Sequence, residues 1–349
     1  MIPSLNKNHF LLMNKYIDLY ILKIKMGIKG LKKLIRKYVP ESIQPFKTSS
    51  LYGKIVAVDS SILLYKFRYT YTDSNFHILG FIHKINEFRT LGVNPIFVFD
   101  GVPPEAKKNV LSQRSETRNK MKDRLKVLEE SLSKYSKINV DEFIDSDSDE
   151  DSVEIVKIRE LNSEIRKIKK NLLYVHKFHS TEVMELLKSL GIPFFESFGE
   201  AEEMCAMMQK RNIVDYILTE DTDSLVFGGS NIIFNTRGDY EIVNLQAVLT
   251  GLGLSMDSFI DLCILCGCDY TGTIPKIGPI TAYKHIINYT DIENIPINIP
   301  DNFDYILARQ LFKQNENYPD ISIRSDQKDI LELTRILLKN NISDFLIKF

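Results

Sequence analysis

Seven carboxylates, Asp59, Asp100, Glu200, Glu202, Asp221, Asp223 and Asp269, fall where apolar runs end or helical patterns begin. In an open α/β sheet those are the places that line the ligand crevice, so the spacing reads as one shared site. Carboxylates crowded together raise one another's pKa until some stay protonated, unless a cation neutralises them. Mg²⁺ meets that need, because it takes oxygen ligands, keeps several waters and is completed by substrate phosphates. The chemistry expected is metal-assisted, on a substrate that carries phosphate. Taken singly, each acid has a plainer explanation: a strand-end Asp is commonly a helix N-cap, and Glu200 with Glu202 suits the positive end of a helix dipole. Four separate acidic clusters in one chain outweigh those explanations together.

The elements that must position these acids are legible around them. Lys54-Ile-Val-Ala-Val-Asp59 and Pro95-Ile-Phe-Val-Phe-Asp100 are short apolar runs of the type that forms parallel strands buried on both faces. Asp215-Tyr-Ile-Leu-Thr-Glu-Asp221 repeats the design. Glu200 and Glu202 open a helix after Gly199, and Asp221 and Asp223 stand two apart at the next strand-to-helix turn. Asp269 follows an apolar helix expected from Met256 to Gly267, and its neighbours Cys268 and Tyr270 are not needed as ligands. These patterns predict an α/β fold with a mostly parallel sheet of about five to seven strands between helices.

Six blocks occur in the order and approximate spacing of a known family: Met26-Gly-Ile-Lys-Gly-Leu, Ala57-Val-Asp59-Ser-Ser, Val98-Phe-Asp100-Gly, Gly199-Glu-Ala-Glu202, Thr219-Glu-Asp221-Thr-Asp223 and Cys266-Gly-Cys-Asp269-Tyr. From Met26 to about Asn340 the chain resembles the flap endonuclease and xeroderma pigmentosum group G family of structure-specific 5′ nucleases. The resemblance implies a PIN-like 5′ nuclease fold with a helical arch and a helix-hairpin-helix. It implies cleavage of DNA at 5′ flaps and related junctions, with 5′–3′ exonuclease activity. Two Mg²⁺ ions, replaceable by Mn²⁺, would generate the attacking hydroxide and stabilise the leaving oxygen. Asp59, Asp100, Glu200 and Glu202 would serve one ion and Asp221, Asp223 and Asp269 the other, with Glu202 placed to bridge. No block holds a Ser-His or Cys-His pair, and the six histidines lie outside all of them.

Further roles follow from the same resemblance. Lys107 and Arg114 keep a seven-residue family spacing toward the scissile phosphate, and two helical turns would put them on one face. They begin a basic stretch, Lys107 to Lys126, with eight cations against two anions; a solvated helix face is its other reading. Tyr65 stands where the family stacks an aromatic on a base, core packing being the alternative. Gly27 belongs to the segment that tucks beside the metals and the DNA. The run after Asp269 resembles the hairpin that presents backbone N–H groups to duplex phosphate. Gly278 keeps one hairpin glycine, while Lys276 replaces the other, leaving open both close backbone approach and the monovalent cation held there.

The formal net charge of −1 hides an uneven distribution. Asp141 to Glu154 holds eight acids and no base, and without it the chain carries +7. Its composition predicts a disordered loop inside an arch region, followed by an amphipathic helix over Val153–Tyr174. The expected organisation is an extension at 1–25, a nuclease region at 26–126, the arch region at 127–170 and a second nuclease region at 171–349 with the hairpin and a wrapping tail. The working protein is expected to start near Met26, with 1–25 outside the core. The four cysteines suit core packing in a reducing compartment, and no run is long and apolar enough to span a bilayer. An intracellular, non-secreted monomer is expected, in the nucleus or at a site of viral DNA replication, acting on DNA with a 5′ flap or junction. No glutamine-led double-aromatic motif marks a sliding-clamp partner. A junction- or bubble-specific nuclease of the same family and a nuclease-dead DNA-binding scaffold are the alternatives; a magnesium phosphatase leaves Glu200, Glu202 and the hairpin unexplained. Because the acidic run repels DNA, a chain lacking residues 141–151 should cleave flaps as before and bind DNA more tightly at low salt. Loss of cleavage in that deletion would make the run part of the arch.

Overall fold

The computed structural model describes residues 27–71, 73–136, 153–236, 239–313 and 327–343. The 1–25 extension and the acidic run at 141–151 lie outside them. The described chain divides into two units, one of residues up to Lys107 and from Val175 onward, the other Lys108–Tyr174.

In the first unit the strands are β1 (Ile43–Pro45), β2 (Ile55–Asp59), β3 (Asn94–Phe99), β4 (Phe194–Glu196), β5 (Tyr216–Leu218), β6 (Asn231–Thr236) and β7 (Asp239–Asn244). They form one sheet in the order β1-β7-β6-β5-β2-β3-β4. The pairs β2/β3, β2/β5, β3/β4 and β5/β6 are parallel, and only β6/β7 and β1/β7 at one edge are antiparallel. β2 therefore lies between β3 and β5, and the carboxyl ends of three neighbouring strands open on one side.

Alternation along these strands feeds two apolar layers, as expected of a sheet covered on both faces. Ala57, Ile96, Val98 and Ile217 pack on one face, and Val56, Val58, Phe97, Phe99 and Leu218 on the other. The first layer is closed by α1 (Leu31–Tyr38), α7 (Ala201–Lys210), α8 (Asp223–Val226), α9 (Leu245–Leu252), α10 (Met256–Cys266), α11 (Pro279–Tyr289) and α12 (Tyr305–Lys313). The second is closed by α2 (Ser60–Thr70), α3 (Phe76–Leu91), α6 (Lys177–Ser189) and α13 (Ile330–Lys339). All four cysteines are buried and unpaired in disulfides, which fits their reading as small core residues. Among the described residues no single helix is long and apolar enough to cross a membrane; the bent pair α9 and α10 passes on length and composition and is mostly core.

The second unit pairs α4 (Lys108–Ser136) with α5 (Val153–Asn171). Arg118 lies over the Tyr174 ring at 4.3 Å, Lys157 lies over Tyr135 at 5.7 Å, and Arg124 pairs with Glu164, which together set the helices antiparallel. Ile165 and Ile168 are buried, so the amphipathic stripe of α5 is used for packing. The helix stops at Asn171, three residues short of the Tyr174 limit expected from the sequence.

A histidine cluster ties α3 to α6. His77 bonds Glu182 at 2.7 Å, and Lys339 of α13 reaches the other Glu182 oxygen at 2.5 Å. Burial, then His77, His176 and Arg68, push the His179 pKa down to about 4, against the pull of Glu182. A histidine kept neutral by folding stabilises above its unfolded pKa near 6.5, and that contribution is lost as pH falls toward 4. His179→Gln should therefore flatten the stability decline between pH 6.5 and pH 4 by about 1 kcal/mol per pH unit, read by urea unfolding across that range. An unchanged slope would show that His179 titrates alike in both states.

Candidate metal centre

The site is assembled from backbone geometry first. Asp59 ends β2 and caps α2, its Oδ1 accepting from Ile62 N at 3.2 Å while Thr219 Oγ1 donates to Oδ2 at 2.8 Å. Asp100 follows β3, and its Oδ1 accepts from Ala201 N at 2.9 Å, which docks the start of α7 against the end of β3. Glu200 is the N-cap residue of α7 and Glu202 stands in its first turn. Asp221 and Asp223 occupy the turn from β5 to α8, where Asp223 N donates to Asp221 Oδ1 at 2.8 Å. Asp269 follows the end of α10 at Cys266. Lys107 joins the two ends of this arc, its ammonium bonded to Glu200 and 3.4 Å from Asp269 Oδ2.

Electrostatics shows how tightly the acids are packed. Burial first, then Asp100 and Asp221, raise the Asp59 carboxyl to about 8, against the hydrogen bonds from Thr219 and Ile62. Glu202 is pushed well up by burial and by Asp59, Asp100 and Asp221. Asp221 is pushed well up by burial and by Asp223 and Asp269. Burial raises Asp223 to about 6, with Asp269 adding to the rise and Lys107 opposing it. The repulsions fall into two overlapping groups, Asp59 with Asp100 and Glu202, and Asp221 with Asp223 and Asp269. Burial would lower the Lys107 pKa, but Glu202, Asp269, Asp223 and Asp100 outweigh it and raise it.

The donor set suits a hard divalent cation. It is all oxygen, four of the seven acids are buried, and Asp223 Oδ1 is a buried oxygen with no hydrogen-bond partner. A buried unsatisfied carboxylate oxygen costs free energy that a coordinated ion would offset. Among the described residues no three acid, histidine or cysteine side chains stand close enough together to hold a metal ion by themselves. That is compatible with an ion that keeps part of its water.

The other residues singled out in the sequence separate. Gly27 lies against the centre: it has φ +69, and a Cβ there would collide with Asp221 Oδ1 and Thr222 Oγ1. Its neighbour Ile28 N donates to Thr222 Oγ1 at 3.1 Å. Tyr65 is half-buried on α2, one turn and a half past Asp59. Lys107 closes a 3₁₀ turn, Glu105–Lys107, with its N–H on Pro104 O at 3.0 Å, and α4 begins only at Lys108. Lys107 belongs to the first unit and Arg114 to the second, so the shared face expected of the pair rests on their spacing alone. Arg114 is exposed on α4, in the second unit. Lys276 has φ +66, the left-handed region that suits glycine, so the hairpin keeps a glycine conformation without the glycine. Gly278 caps α11 in an extended conformation, and a Cβ there would meet open space within the chain.

Several contributors were silent in the sequence. Tyr270 OH donates to Glu200, Thr219 holds both Asp59 and, through Asp221 N at 3.0 Å, the next acid. Lys66 of α2 pairs with Glu220 at 2.6 Å, bracing the loop that carries Asp221. Thr219 and Tyr270 lie within the sequence blocks quoted above, but the bonds they make to Asp59 and Glu200, like the Lys66–Glu220 pair, come only from the tertiary fold.

Comparison with known proteins supplies the family and the fold. Residues 26–121 match the XPG N-terminal domain and residues 191–269 the XPG I-region. Flap endonuclease 1 of Cryptosporidium muris is 35% identical over 93% of this chain and 69% of its own length. The chain belongs to the XPG and flap endonuclease family. Flap endonuclease 1 of Plasmodium falciparum is also 35% identical, over 90% of this chain, which spans half of that relative. The fold recurs in the catalytic core of Rad2 solved with a DNA substrate, at 23% identity, TM-score 0.63 and coverage of 90% of this chain and 95% of that one. It recurs too in flap endonuclease-1 from Methanococcus jannaschii, at 22% identity and TM-score 0.59 over 87% of this chain and 92% of that one. The matched XPG regions hold all seven carboxylates, Gly27, Tyr65, Lys107 and Arg114, while Lys276 and Gly278 lie beyond them.

A carboxyl whose folded pKa exceeds its unfolded value stabilises only below that unfolded value, and the contribution is lost as pH rises through the folded pKa. Metal-free protein should accordingly lose stability from about pH 4 to about pH 8 through Asp223 and Asp59. Thermal unfolding across that range should show the loss, Mg²⁺ should reverse it, and metal-free Asp221→Asn should melt higher than the native chain yet gain less from Mg²⁺. A Mg²⁺ gain equal in native and variant chains would place the ion elsewhere.

Proposed function

We propose that this chain is a structure-specific DNA endonuclease that cuts 5′ flaps, with 5′–3′ exonuclease activity, through divalent-ion-dependent phosphodiester hydrolysis in DNA replication, repair or recombination. The observation that carries this reading is the Lys107 ammonium, bonded to Glu200, 3.4 Å from Asp269 and kept charged by Glu202, Asp223 and Asp100, acids drawn from both XPG regions, with a buried Asp223 oxygen left over. Mg²⁺ is the proposed cofactor, held by Asp59, Asp100, Glu200 and Glu202 on one side and Asp221, Asp223 and Asp269 on the other. Bound there, such ions would activate water and stabilise the leaving oxygen.

The protein's own groups do the rest. Thr219 and Ile62 N fix the Asp59 oxygens, Ala201 N fixes Asp100, and Tyr270 fixes Glu200, so the ligands are held in place before DNA arrives. Lys107, kept charged by the acids around it, supplies a cation for the negative charge that builds on the scissile phosphate. Arg114 is the proposed second cation. Gly278, with open space around it, lets a duplex phosphate approach the α11 N-terminus, and exposed Lys276 adds positive charge there. A monovalent cation at this hairpin is part of the same proposal.

Cleavage of end-labelled 5′-flap, nicked, bubble and four-way DNA in Mg²⁺ and in EDTA tests the reading. Flap cutting that needs Mg²⁺ is expected. Glu202→Ala or Asp221→Ala should abolish it while flap binding persists, since duplex grip comes from basic residues. Lys107→Ala and Arg114→Ala should each slow single-turnover cleavage at saturating DNA by about 10²–10³-fold. Cleavage unaffected by EDTA, or retained in Glu202→Ala, would overturn the metal assignment; a Lys107→Ala defect in affinity alone would move that residue to the DNA path.

A further inference from the structure

Four residues carry the chain from the metal centre to the hairpin. Gly27 lies against Asp221 and Thr222, and Ile28 N donates to Thr222 Oγ1 at 3.1 Å. Lys29 N then donates to Gly267 O at 3.1 Å, two residues ahead of Asp269. Gly30 meets the hairpin itself: it has φ +72, and a Cβ there would stand 2.7 Å from Cγ of Pro279, the first residue of α11. Ile28 and Leu31 are buried on either side, so the loop is fixed to the core while Lys29 stays exposed between its anchors.

The Lys29 side chain lies along the same line. A Cβ on Gly267 would meet its Cδ at 3.0 Å, its Nζ at 3.2 Å and Thr273 Cγ2 at 3.2 Å. The methylene stem thus rests on the bare backbone of Gly267 and holds the ammonium near the run between Asp269 and Lys276, a usual arrangement for a lysine whose head faces water. The ion pairs of the centre do not use it: Lys107 pairs with Glu200 and Asp269, and Lys66 with Glu220. Lys107 is also the cation that opposes the rise of Glu202, Asp221 and Asp223.

We propose that the Lys29 ammonium binds a duplex phosphate lying between the phosphate cut at the metal centre and the one that approaches the α11 N-terminus. This deepens the proposed function and rests on it. A duplex engaged at both places must pass the Gly27–Gly30 loop, and each of its strands brings a phosphate there roughly every 3.4 Å of helix axis. Such a contact carries no sequence information but fixes register. Lys29 would thereby set how far the hairpin-held duplex stands from the cut. Its role differs from that of Lys107, which acts on the phosphate that reacts.

The test uses the full chain with Mg²⁺ and flap DNA in which each phosphodiester near the cut, on either strand, is replaced in turn by an uncharged methylphosphonate. Single-turnover rates against DNA concentration are compared for the native chain, for Lys29→Met, which keeps the stem without the charge, and for Lys29→Arg, with thermal melting of each. Lys29→Met should raise the half-saturating DNA concentration several-fold, more than it lowers the maximal rate, and should reduce the slope of its logarithm against log salt by about 1. Lys29→Arg should restore both. In the native chain one methylphosphonate, away from the scissile linkage, should raise the half-saturating concentration by the same factor, and Lys29→Met should lose nothing further there. A native salt slope in Lys29→Met, or losses that multiply at every linkage, overturns the contact. A loss that Arg fails to restore and that follows a drop in melting temperature makes Lys29 a packing residue and overturns it as well. A loss confined to the maximal rate moves the ammonium to the reacting phosphate and does the same. A native chain that cuts no DNA in Mg²⁺ removes the nuclease reading itself, whereas native cutting that Lys29→Met reproduces in full removes only this contact.

Discussion

Mutual repulsion among acids that cannot all be charged at neutral pH without cations sets the terms for the rest of this molecule. Asp59, Glu202, Asp221 and Asp223 all titrate above the normal carboxylate range because they are both buried and close to one another. Side-chain ligands of this kind would spring apart on flexible loops. The fold answers by fixing them to the carboxyl ends of β2 and β3, the turn after β5 and the start of α7, elements anchored in two apolar layers. Stability is thus concentrated in the sheet and spent locally at its edge.

The supporting contacts share one logic. Thr219 donates to Asp59, Tyr270 to Glu200 and Ala201 N to Asp100, so neutral donors lower the cost of negative charge without competing for the cation's place. Gly27 lets the start of the described chain press against Asp221, and Thr222 receives the N–H of Ile28. Lys66 and Glu220 brace the same loop from α2.

What could be read from the sequence was whatever local pattern dictates. Apolar runs ending in Asp marked β2 and β3 because a strand buried on both faces has no polar side to show, and the same rule located the crevice. The Asp215–Asp221 run was legible too, although the strand itself is only Tyr216–Leu218. Lys107 was expected on the helix that carries Arg114, whereas it ends a 3₁₀ turn that leads directly into that helix at Lys108, a boundary that periodicity alone does not mark. Lys276 was read as the loss of a hairpin glycine; the backbone nonetheless keeps the left-handed conformation there. The supporting bonds of Tyr270, Thr219 and Lys66 were illegible for a different reason: each reaches a partner 70 or more residues away.

The pairing of β2 with β5 joins Val56 to Tyr216 across most of the described chain. During synthesis β2 and β3 can zip together early, but β2 keeps an unpaired inner edge until the β5 segment has left the ribosome. Asp269 comes later still. The proposed metal centre is consequently completed late: a nascent chain carries Asp59 and Asp100 on an unfinished sheet before Asp221, Asp223 and Asp269 have been made. Long-range topology acts here as a timer, withholding the proposed DNA-cutting centre until the chain has been made as far as Asp269.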